Sequence, residues 1–287
     1  MGCGGAPGGG GLGAGGGGGA GVTKWEDELA LAVAAAEDAG VALLRHHRAR
    51  DRLRVEEKRA GDFVSEADRE AEALLKRRLL GARPGDGWLG EEMGEEAGQG
   101  RRWVVDPLDG TTNFLRGLPY WCVSVALEVE GRPLLGVIHD PLHGETFAAA
   151  PGTGLRVNGR ILPAVARAGM SGALFGTGIP FGGMAHIEDH AADIARLMPH
   201  CAGVRRTGAS ALDLAYVAAG RLDGFWERRL RPWDVAAGLA LMAEAGVRVE
   251  GVTLGEDPWE TGSVLCATPA LFDAFAVLVR GGQDSRA

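Results

Sequence analysis

The sequence predicts a mixed α/β protein, with an antiparallel sheet in the first half and alternating strands and helices in the second. Apolar runs at 120–129, 134–139 and 145–149 are separated by short turns, and strands joined in this way form an antiparallel meander. Between 204 and 227 a strand, a helix and another strand follow one another, which is typical of an α/β unit. The chain of 287 residues can bury a large core, as one domain or as two abutting halves.

Composition and charge indicate an ordinary globular protein. Hydrophobic residues make up 46% and charged residues 24% of the chain. The net charge of -8 argues against nucleic acid as the main partner, because binding to a phosphate backbone needs a basic face. No run of about 18 apolar residues occurs, so we expect no membrane span. The four cysteines lie far apart and form no C-x-x-C pair, which favours reduced thiols and a cytoplasmic location.

The first 22 residues are mostly glycine, so they can bury no core and we expect 1–22 to be disordered. They lack the basic and apolar regions of a secretion signal. Met1-Gly2-Cys3 suggests lipidation, but Ala6 stands where the myristoylation pattern requires Ser or Thr. A flexible leader or a mis-assigned start is the better interpretation. We therefore predict two folded halves, 23–150 and 151–287.

Two helices open the folded part. The apolar spacing between residues 29 and 44 predicts the first, and its basic end at 45–48 suits the negative end of a helix dipole. The second is predicted from Ser65 to about Leu80. Ser65 and Asp68 have the spacing of a capping box, which explains Asp68 without any catalytic role.

Residues 85–100 are polar and rich in glycine, and they predict a flexible loop. The loop carries Glu91, Glu92, Glu95 and Glu96. Most acidic loops are solvated surface, so these residues alone do not favour a metal site.

The stretch 103–114 places two carboxylates beside a row of backbone N–H groups. Three apolar residues predict a strand that runs into Asp106, Pro107 is expected to stop it, and the residues after Asp109 predict a helix start at Gly110. Hard cations on the two aspartates and a phosphate at the helix N-terminus would suit this arrangement. A tight Asp-Pro turn and a helix cap explain the same residues without a ligand, and this is the commoner case for a bare D-x-x-D pattern.

The second half contains two further acidic candidates. Its predicted strands are 172–178, 204–207, 222–226 and 263–267. Its predicted helices are 186–197, 208–219, 232–245 and a last one from 268. Asp234 stands in the first turn of a helix, where the dipole alone favours an acidic residue. Glu227 ends a strand, where it is either exposed and paired with the arginines at 228–231 or part of a site.

Three segments together resemble the inositol monophosphatase family. Gly90-Glu91-Glu92, the stretch 106–114 (DPLDGTTNF) and 233–238 (WDVAAG) occur in the order and spacing of that family's signatures. The resemblance covers about residue 24 to the end of the chain. It implies a layered αβαβα sandwich of the inositol monophosphatase / fructose-1,6-bisphosphatase type. In that arrangement the first half carries most metal ligands and the second half completes the site.

The resemblance also implies a metal site. Two Mg2+ ions are expected, and a third, weaker one near Glu91. One ion would take Glu91, Asp106 and the carbonyl of Leu108. The other would take Asp106, Asp109 and Asp234. These ligands bind through oxygen, which suits a hard divalent cation.

The catalytic and substrate residues follow from the same resemblance. Glu91 and the pair Thr111 and Asp68 would position a metal-activated water for direct in-line attack on phosphorus. The substrate would contact Gly110, Thr111, Thr112, Ser210, Glu227 and Asp234.

The implied activity is Mg2+-dependent, lithium-sensitive hydrolysis of myo-inositol monophosphate, a small phosphorylated polyol, by a homodimer. Related phosphatases act on histidinol phosphate, fructose bisphosphate or adenosine 3′,5′-bisphosphate. A further alternative is an accessory factor in transcription and ribosomal RNA maturation that contacts RNA polymerase and does not need catalysis. The basic cluster at 45–54 is the one feature that points to this alternative, whereas the intact ligand set favours an enzyme.

Overall fold

The computed structural model describes Met1 and residues 24–59, 62–164, 169–179 and 186–281. The predicted disorder of 1–22 falls almost entirely outside these ranges. The helices are α1 (Glu26–Arg48), α2 (Glu66–Ala82), α3 (Thr111–Arg116), α4 (Ile187–Leu197), α5 (Ser210–Ala218), α6 (Pro232–Ala245), α7 (Pro258–Thr261) and α8 (Pro269–Val279).

The strands form two large sheets and one small hairpin. They are β1 (Val55–Arg59), β2 (Asp62–Ser65), β3 (Gly87–Gly90), β4 (Gly94–Glu96), β5 (Arg101–Asp109), β6 (Cys122–Val129), β7 (Arg132–Asp140), β8 (Glu145–Ala149), β9 (Arg156–Val157), β10 (Arg160–Ile161), β11 (Leu174–Thr177), β12 (Gly203–Arg205), β13 (Gly224–Glu227), β14 (Arg248–Glu250) and β15 (Val264–Ala267). The hairpins β1–β2 and β9–β10 and the strand β14 were not predicted.

The first sheet has the strand order β10-β9-β8-β7-β6-β5-β3-β4. The run from β5 to β8 is antiparallel throughout, which confirms the predicted meander, and only β3 lies parallel to its neighbour β5. The second sheet has the order β12-β11-β13-β15-β14, in which β11 lies parallel to β12 and β13 and the other pairs are antiparallel. The first sheet extends to β10, beyond residue 150, and the division into two halves stays a prediction.

Five layers stack on one another. Helices α1 and α2 cover one face of the first sheet, α5 and α6 lie between the two sheets, and α4 and α8 cover the outer face of the second sheet. Because both faces of each sheet are covered, successive residues of a strand enter different cores. Val104 packs into the middle layer and Trp103 against α1 and α2, while Phe225 packs into the middle layer and Trp226 outward. The predicted αβαβα sandwich is confirmed.

The middle layer is packed closely enough to require glycine. A Cβ atom on Gly136 of β7 would lie 2.3 Å from the carbonyl oxygen of Ala237 in α6. A Cβ atom on Gly238 would lie 2.6 Å from Leu214 of α5. These contacts bring α6 close to the first sheet and to α5, and they place its first turn beside the end of β5.

The predicted loop at 85–100 is wrong, because it contains β3 and β4. Trp88 is 0% exposed, and β3 gains its partners from distant residues, parallel to β5 and antiparallel to β4. The predicted end of a strand at Pro107 is also wrong, since β5 continues to Asp109.

Candidate active site

The pairing of β5 with β6 is irregular near the end of β5, and the two aspartates lie on either side of this irregularity. Asp106 pairs with Ser124 of β6, and the register then shifts before Asp109 pairs with Cys122. Pro107 lies within the shift, where a missing N–H group interrupts no regular ladder. The amide of Leu108 donates to Asp106 Oδ1 at 2.9 Å, which fixes that carboxylate.

Helix α3 begins after a residue whose backbone conformation only glycine adopts easily. Gly110 has φ 90°, and a Cβ atom there would lie 3.0 Å from the carbonyl oxygen of Tyr120. The next residue, Thr111, lies 3.0 Å from the carbonyl oxygen of Leu108 and 3.3 Å from Asp68 Oδ1 through its hydroxyl. A threonine hydroxyl has one proton, so it can donate to one of these acceptors at a time.

Asp68 takes part in two arrangements at once. Its Oδ2 accepts from the amide of Ser65 at 2.9 Å and from the Ser65 hydroxyl at 2.6 Å, which confirms the predicted capping box of α2. Its Oδ1 faces Thr111. Burial raises the pKa of the Asp68 carboxyl, although the Ser65 hydrogen bonds oppose the shift. The pairing of Asp68 with Thr111 is therefore present in the structure.

The second half of the chain reaches the site through the starts of α5 and α6. The amide of Ala211, in the first turn of α5, donates to Asp109 Oδ2 at 2.7 Å. Asp234, in the first turn of α6, accepts from the amide of Arg231 through Oδ2 at 2.7 Å. The helix-start interpretation of Asp234 is thus correct, and its role as a metal ligand stays a prediction.

Electrostatic repulsion between the acidic side chains, together with burial, shifts their pKa values. Burial and then the charges of Glu91, Asp109 and Asp234 raise the pKa of Asp106 well above its ordinary value. Burial raises the pKa of Asp109 to about 7, and burial with the charge of Asp109 raises that of Asp234 to about 7. Such repulsion is what a bound cation would relieve, and the donors are all oxygens.

The carboxylates do not form a ready-made cage. Within the described residues, no three His, Cys, Asp or Glu side chains are arranged to hold a metal ion. Asp106, Asp109 and Asp234 each turn one oxygen to a backbone amide. A hard divalent cation that keeps several waters and takes only one or two carboxylates is compatible with these oxygen donors.

Ser210 and Glu227 form a second part of the site. The Ser210 hydroxyl donates to Glu227 Oε2 at 2.8 Å, and Glu227 is only 4% exposed. A Cβ atom on Gly178 would lie 2.1 Å from Glu227 Oε2, so the glycine leaves room for this carboxyl group. Burial raises the pKa of Glu227 to about 8. The alternative of an exposed strand end is therefore wrong, and Arg228 pairs with Asp193 instead, at 2.5 Å.

Sequence reasoning missed three buried polar residues around the site. Asn113 donates to the carbonyl oxygens of Tyr120 at 2.7 Å and Thr207 at 2.9 Å, so it ties α3 to the second half. Asp213 accepts from the hydroxyls of Tyr120 at 2.6 Å and Thr207 at 2.7 Å. Glu72 lies under the turn after β3. The burial of Glu72 could have been predicted from the sequence, because it follows Asp68 by four residues and therefore lies on the same buried face of α2.

The structure thus brings most of the predicted residues together. Electrostatic interactions link Asp106 to Glu91, Asp109 and Asp234. Asp68 contacts Thr111, and Ser210 contacts Glu227. Thr112 is exposed at the start of α3, and its contact with substrate stays a prediction.

A family model for the inositol monophosphatase family matches residues 24–282. The chain belongs to the inositol monophosphatase family. It is accordingly an enzyme of the phosphoric monoester hydrolase class. None of the helices in the described ranges has the length and apolar character needed to cross a membrane.

Its relatives carry two kinds of name. The inositol-1-monophosphatase of Mesorhizobium japonicum is 43% identical over 260 residues, covering 90% of this chain and 98% of the relative. The Nus factor SuhB of Escherichia coli is 39% identical over 254 residues, covering 88% and 95%. The crystal structure of the extragenic suppressor protein suhB from Bartonella henselae superimposes with a TM-score of 0.86 at 38% identity, covering 90% of this chain and 100% of that one.

Proposed function

We propose that this enzyme hydrolyses myo-inositol monophosphate to inositol and phosphate with Mg2+ as cofactor. The observation that carries the proposal is the hydrogen bond between Thr111 and Asp68, which lies where β5 delivers Asp106 and Asp109 to the start of α3. The name of the Mesorhizobium relative supports the same substrate.

The proposed ligands are oxygens of Glu91, Asp106, Asp109 and Asp234 and the carbonyl of Leu108, shared between two ions, with a third near Glu91. When bound, Mg2+ would polarise the phosphate ester, lower the pKa of water and stabilise the charge of the leaving alcohol. The amide groups that open α3 at Gly110, Thr111 and Thr112 would receive the phosphate oxygens.

The chain's own residues would then direct the water. Where the Thr111 hydroxyl donates its hydrogen bond to Asp68, the Thr111 oxygen can accept a hydrogen bond from the attacking water and so orient it. Glu91 would help to orient the same water. The alcohol would lie against Ser210 and Glu227, whose mutual hydrogen bond fixes the orientation of the Glu227 carboxyl group.

The test is a panel of phosphomonoesters assayed for phosphate release with Mg2+ and then challenged with Li+. The panel contains myo-inositol 1-phosphate, histidinol phosphate, fructose 1,6-bisphosphate and adenosine 3′,5′-bisphosphate. We expect the highest kcat/KM for inositol phosphate, no turnover after chelation of Mg2+, and inhibition by Li+. A higher kcat/KM for another ester would replace the substrate, and full activity in the presence of a chelator would exclude the mechanism.

Part of the basic cluster at 45–54, the feature that points to the accessory-factor alternative, is paired within the protein. Arg45 and His46 both pair with Glu70, at 3.0 Å and 2.7 Å, which neutralises part of the cluster. Co-purification with RNA polymerase, together with inactivity on every ester, would favour that alternative.

We further propose a homodimer in a reducing, cytoplasmic compartment. The three described cysteines, Cys122, Cys201 and Cys266, form no disulfide with one another. Light scattering of the purified protein measures the mass, and a monomeric mass would contradict the dimer.

A further inference from the structure

Glu72 is a completely buried carboxylate that the proposed mechanism does not use. It lies on α2 one turn after Asp68, on the stripe that also carries Leu75 and Leu79, and it is 0% exposed. A charged group in such a place is costly unless hydrogen bonds compensate for the lost water. Its hydrogen-bond donors therefore show what the residue is for.

All three donors come from β3 and the turn that follows it. Oε2 accepts from the backbone amide of Glu92 at 2.8 Å. Oε1 accepts from the backbone amide of Met93 at 3.0 Å and from Trp88 Nε1 at 3.2 Å. Two of the donors are thus the consecutive amides directly after Glu91, and hydrogen bonds to a carboxylate are stronger than those between neutral groups.

Gly90 leaves the space through which this carboxylate reaches the turn. A Cβ atom on Gly90 would lie 1.8 Å from Glu72 Oε1 and 2.6 Å from Trp88 Nε1. On the other side, the amide of Glu91 donates to the carbonyl oxygen of Val105 in β5 at 3.2 Å. The backbone of Glu91 is therefore fixed between two attachments, one to β5 and one to α2.

We propose that Glu72 is a positioning residue that holds Glu91 beside Asp106 and thereby sets the affinity of the site for Mg2+. The inference rests on the proposed function, because it takes Glu91 as a metal ligand. Glu72 itself contacts neither metal nor substrate. Without its carboxylate, the amides of Glu92 and Met93 lose their acceptor, and the turn must rearrange to satisfy them.

The first test is Glu72→Gln, which keeps the shape of the side chain but replaces one acceptor oxygen by a donor. We expect the Mg2+ concentration for half-maximal phosphate release to rise by roughly 10- to 100-fold, as is usual when a group that orients a metal ligand is removed. The KM for the phosphomonoester, measured at saturating Mg2+, should stay close to that of the unmodified enzyme. A purely structural role would lower stability without this separation.

The second readout is the binding of Mn2+ to the substrate-free protein. It is measured from the electron paramagnetic resonance signal of the Mn2+ that remains free. Glu72→Gln and Glu91→Gln should both weaken binding. Glu70→Gln is the matched control, because Glu70 lies on the same helix but pairs with Arg45 and His46 at the surface, and its binding curve should not change. Gly90→Ala should weaken binding like Glu72→Gln, since its Cβ atom must displace the carboxylate.

Circular dichroism and thermal unfolding identify the variants that fold. A folded Glu72→Gln protein with an unchanged Mn2+ curve and an unchanged Mg2+ requirement, while Glu91→Gln shifts both, overturns the proposal. If Glu72→Gln does not fold, Gly90→Ala decides in the same way. If the unmodified protein releases phosphate from no ester, the proposed function fails, whereas the Mn2+ titrations still decide the role of Glu72.

Discussion

The backbone amide of Ala211 donates a hydrogen bond of 2.7 Å to Asp109 Oδ2, across 102 residues of sequence. Asp109 ends β5 of the first sheet, and Ala211 lies in the first turn of α5, between the sheets. The start of a helix carries partial positive charge, so α5 stabilises this half-buried carboxylate from the far side of the site. The first turn of α5 thereby fixes the orientation of the Asp109 carboxylate.

Asp109→Asn should abolish turnover and leave the fold intact. An amide oxygen can still accept from Ala211, but a neutral side chain no longer supplies the negative charge that a divalent cation requires. We expect kcat to fall by about 10³-fold or more, with an unchanged circular dichroism spectrum. A folded Asp109→Asn protein with near-normal activity would show that the metal assignment is wrong.

Thr111→Val tests the contribution of the hydroxyl group separately from that of the side chain's shape. The variant keeps the shape but loses the hydrogen bond to Asp68, and kcat should fall by roughly 10²-fold or more because the water is no longer oriented. Thr111→Ser retains the hydroxyl and should recover most of the activity. Equal activity of the two variants in steady-state assays would exclude the role of the Thr111 and Asp68 pair.

Gly136→Ala should destabilise the middle layer. Its Cβ atom would lie 2.3 Å from the carbonyl oxygen of Ala237, and neither backbone can move without disturbing the sheet or α6. We expect the free energy of unfolding in urea to fall by about 1 to 3 kcal/mol. Gly81→Ala is the control, because nothing lies within 4 Å of its position near the end of α2. That variant should be unchanged or more stable, and equal losses for both would contradict the packing argument.

The buried histidine His139 should contribute less to stability in mild acid than at neutral pH. Burial lowers the pKa of His139 below 6.5, although the charges of Glu37 and Asp140 oppose the shift. His139 therefore binds its proton at a higher pH in the unfolded chain than in the folded one. Its contribution to stability is full above about pH 6.5 and decreases as the pH falls through the lower folded-state pKa.

The measurement is urea unfolding between pH 7.5 and pH 5 for the unmodified protein and for His139→Gln. The variant removes the titrating group, so on going from pH 7.5 to pH 5 it should lose less stability, or gain more, than the unmodified protein. It also loses the hydrogen bond between His139 Nδ1 and Thr146 at every pH. Identical slopes would show that His139 does not contribute. Other groups that titrate in this range determine the slope that remains. Burial also lowers the pKa values of His47 and His190, whereas it raises those of Asp109 and Asp234 to about 7, which acts in the opposite direction.

Local patterns predicted the long elements well. The helices α1, α2, α4 and α6 were expected within a few residues of their bounds, because each has an apolar stripe and recognisable ends. The strands β3 and β4 were missed, since four and three residues rich in Gly and Glu show no alternation. Only pairing with β5 and burial of Trp88 make that segment a hairpin.

The sequence by itself determined the spacing of Asp106, Asp109 and the glycine that opens α3, because these residues share one strand end and one helix start. It also determined the cap formed by Ser65 and Asp68. Only the tertiary structure decided that Glu227 is buried against Ser210 and that Asp109 meets the start of α5. It likewise decided that Glu72 lies under the turn after Glu91. These contacts depend on how closely helices pack on the sheets, and no short stretch of the chain contains that information.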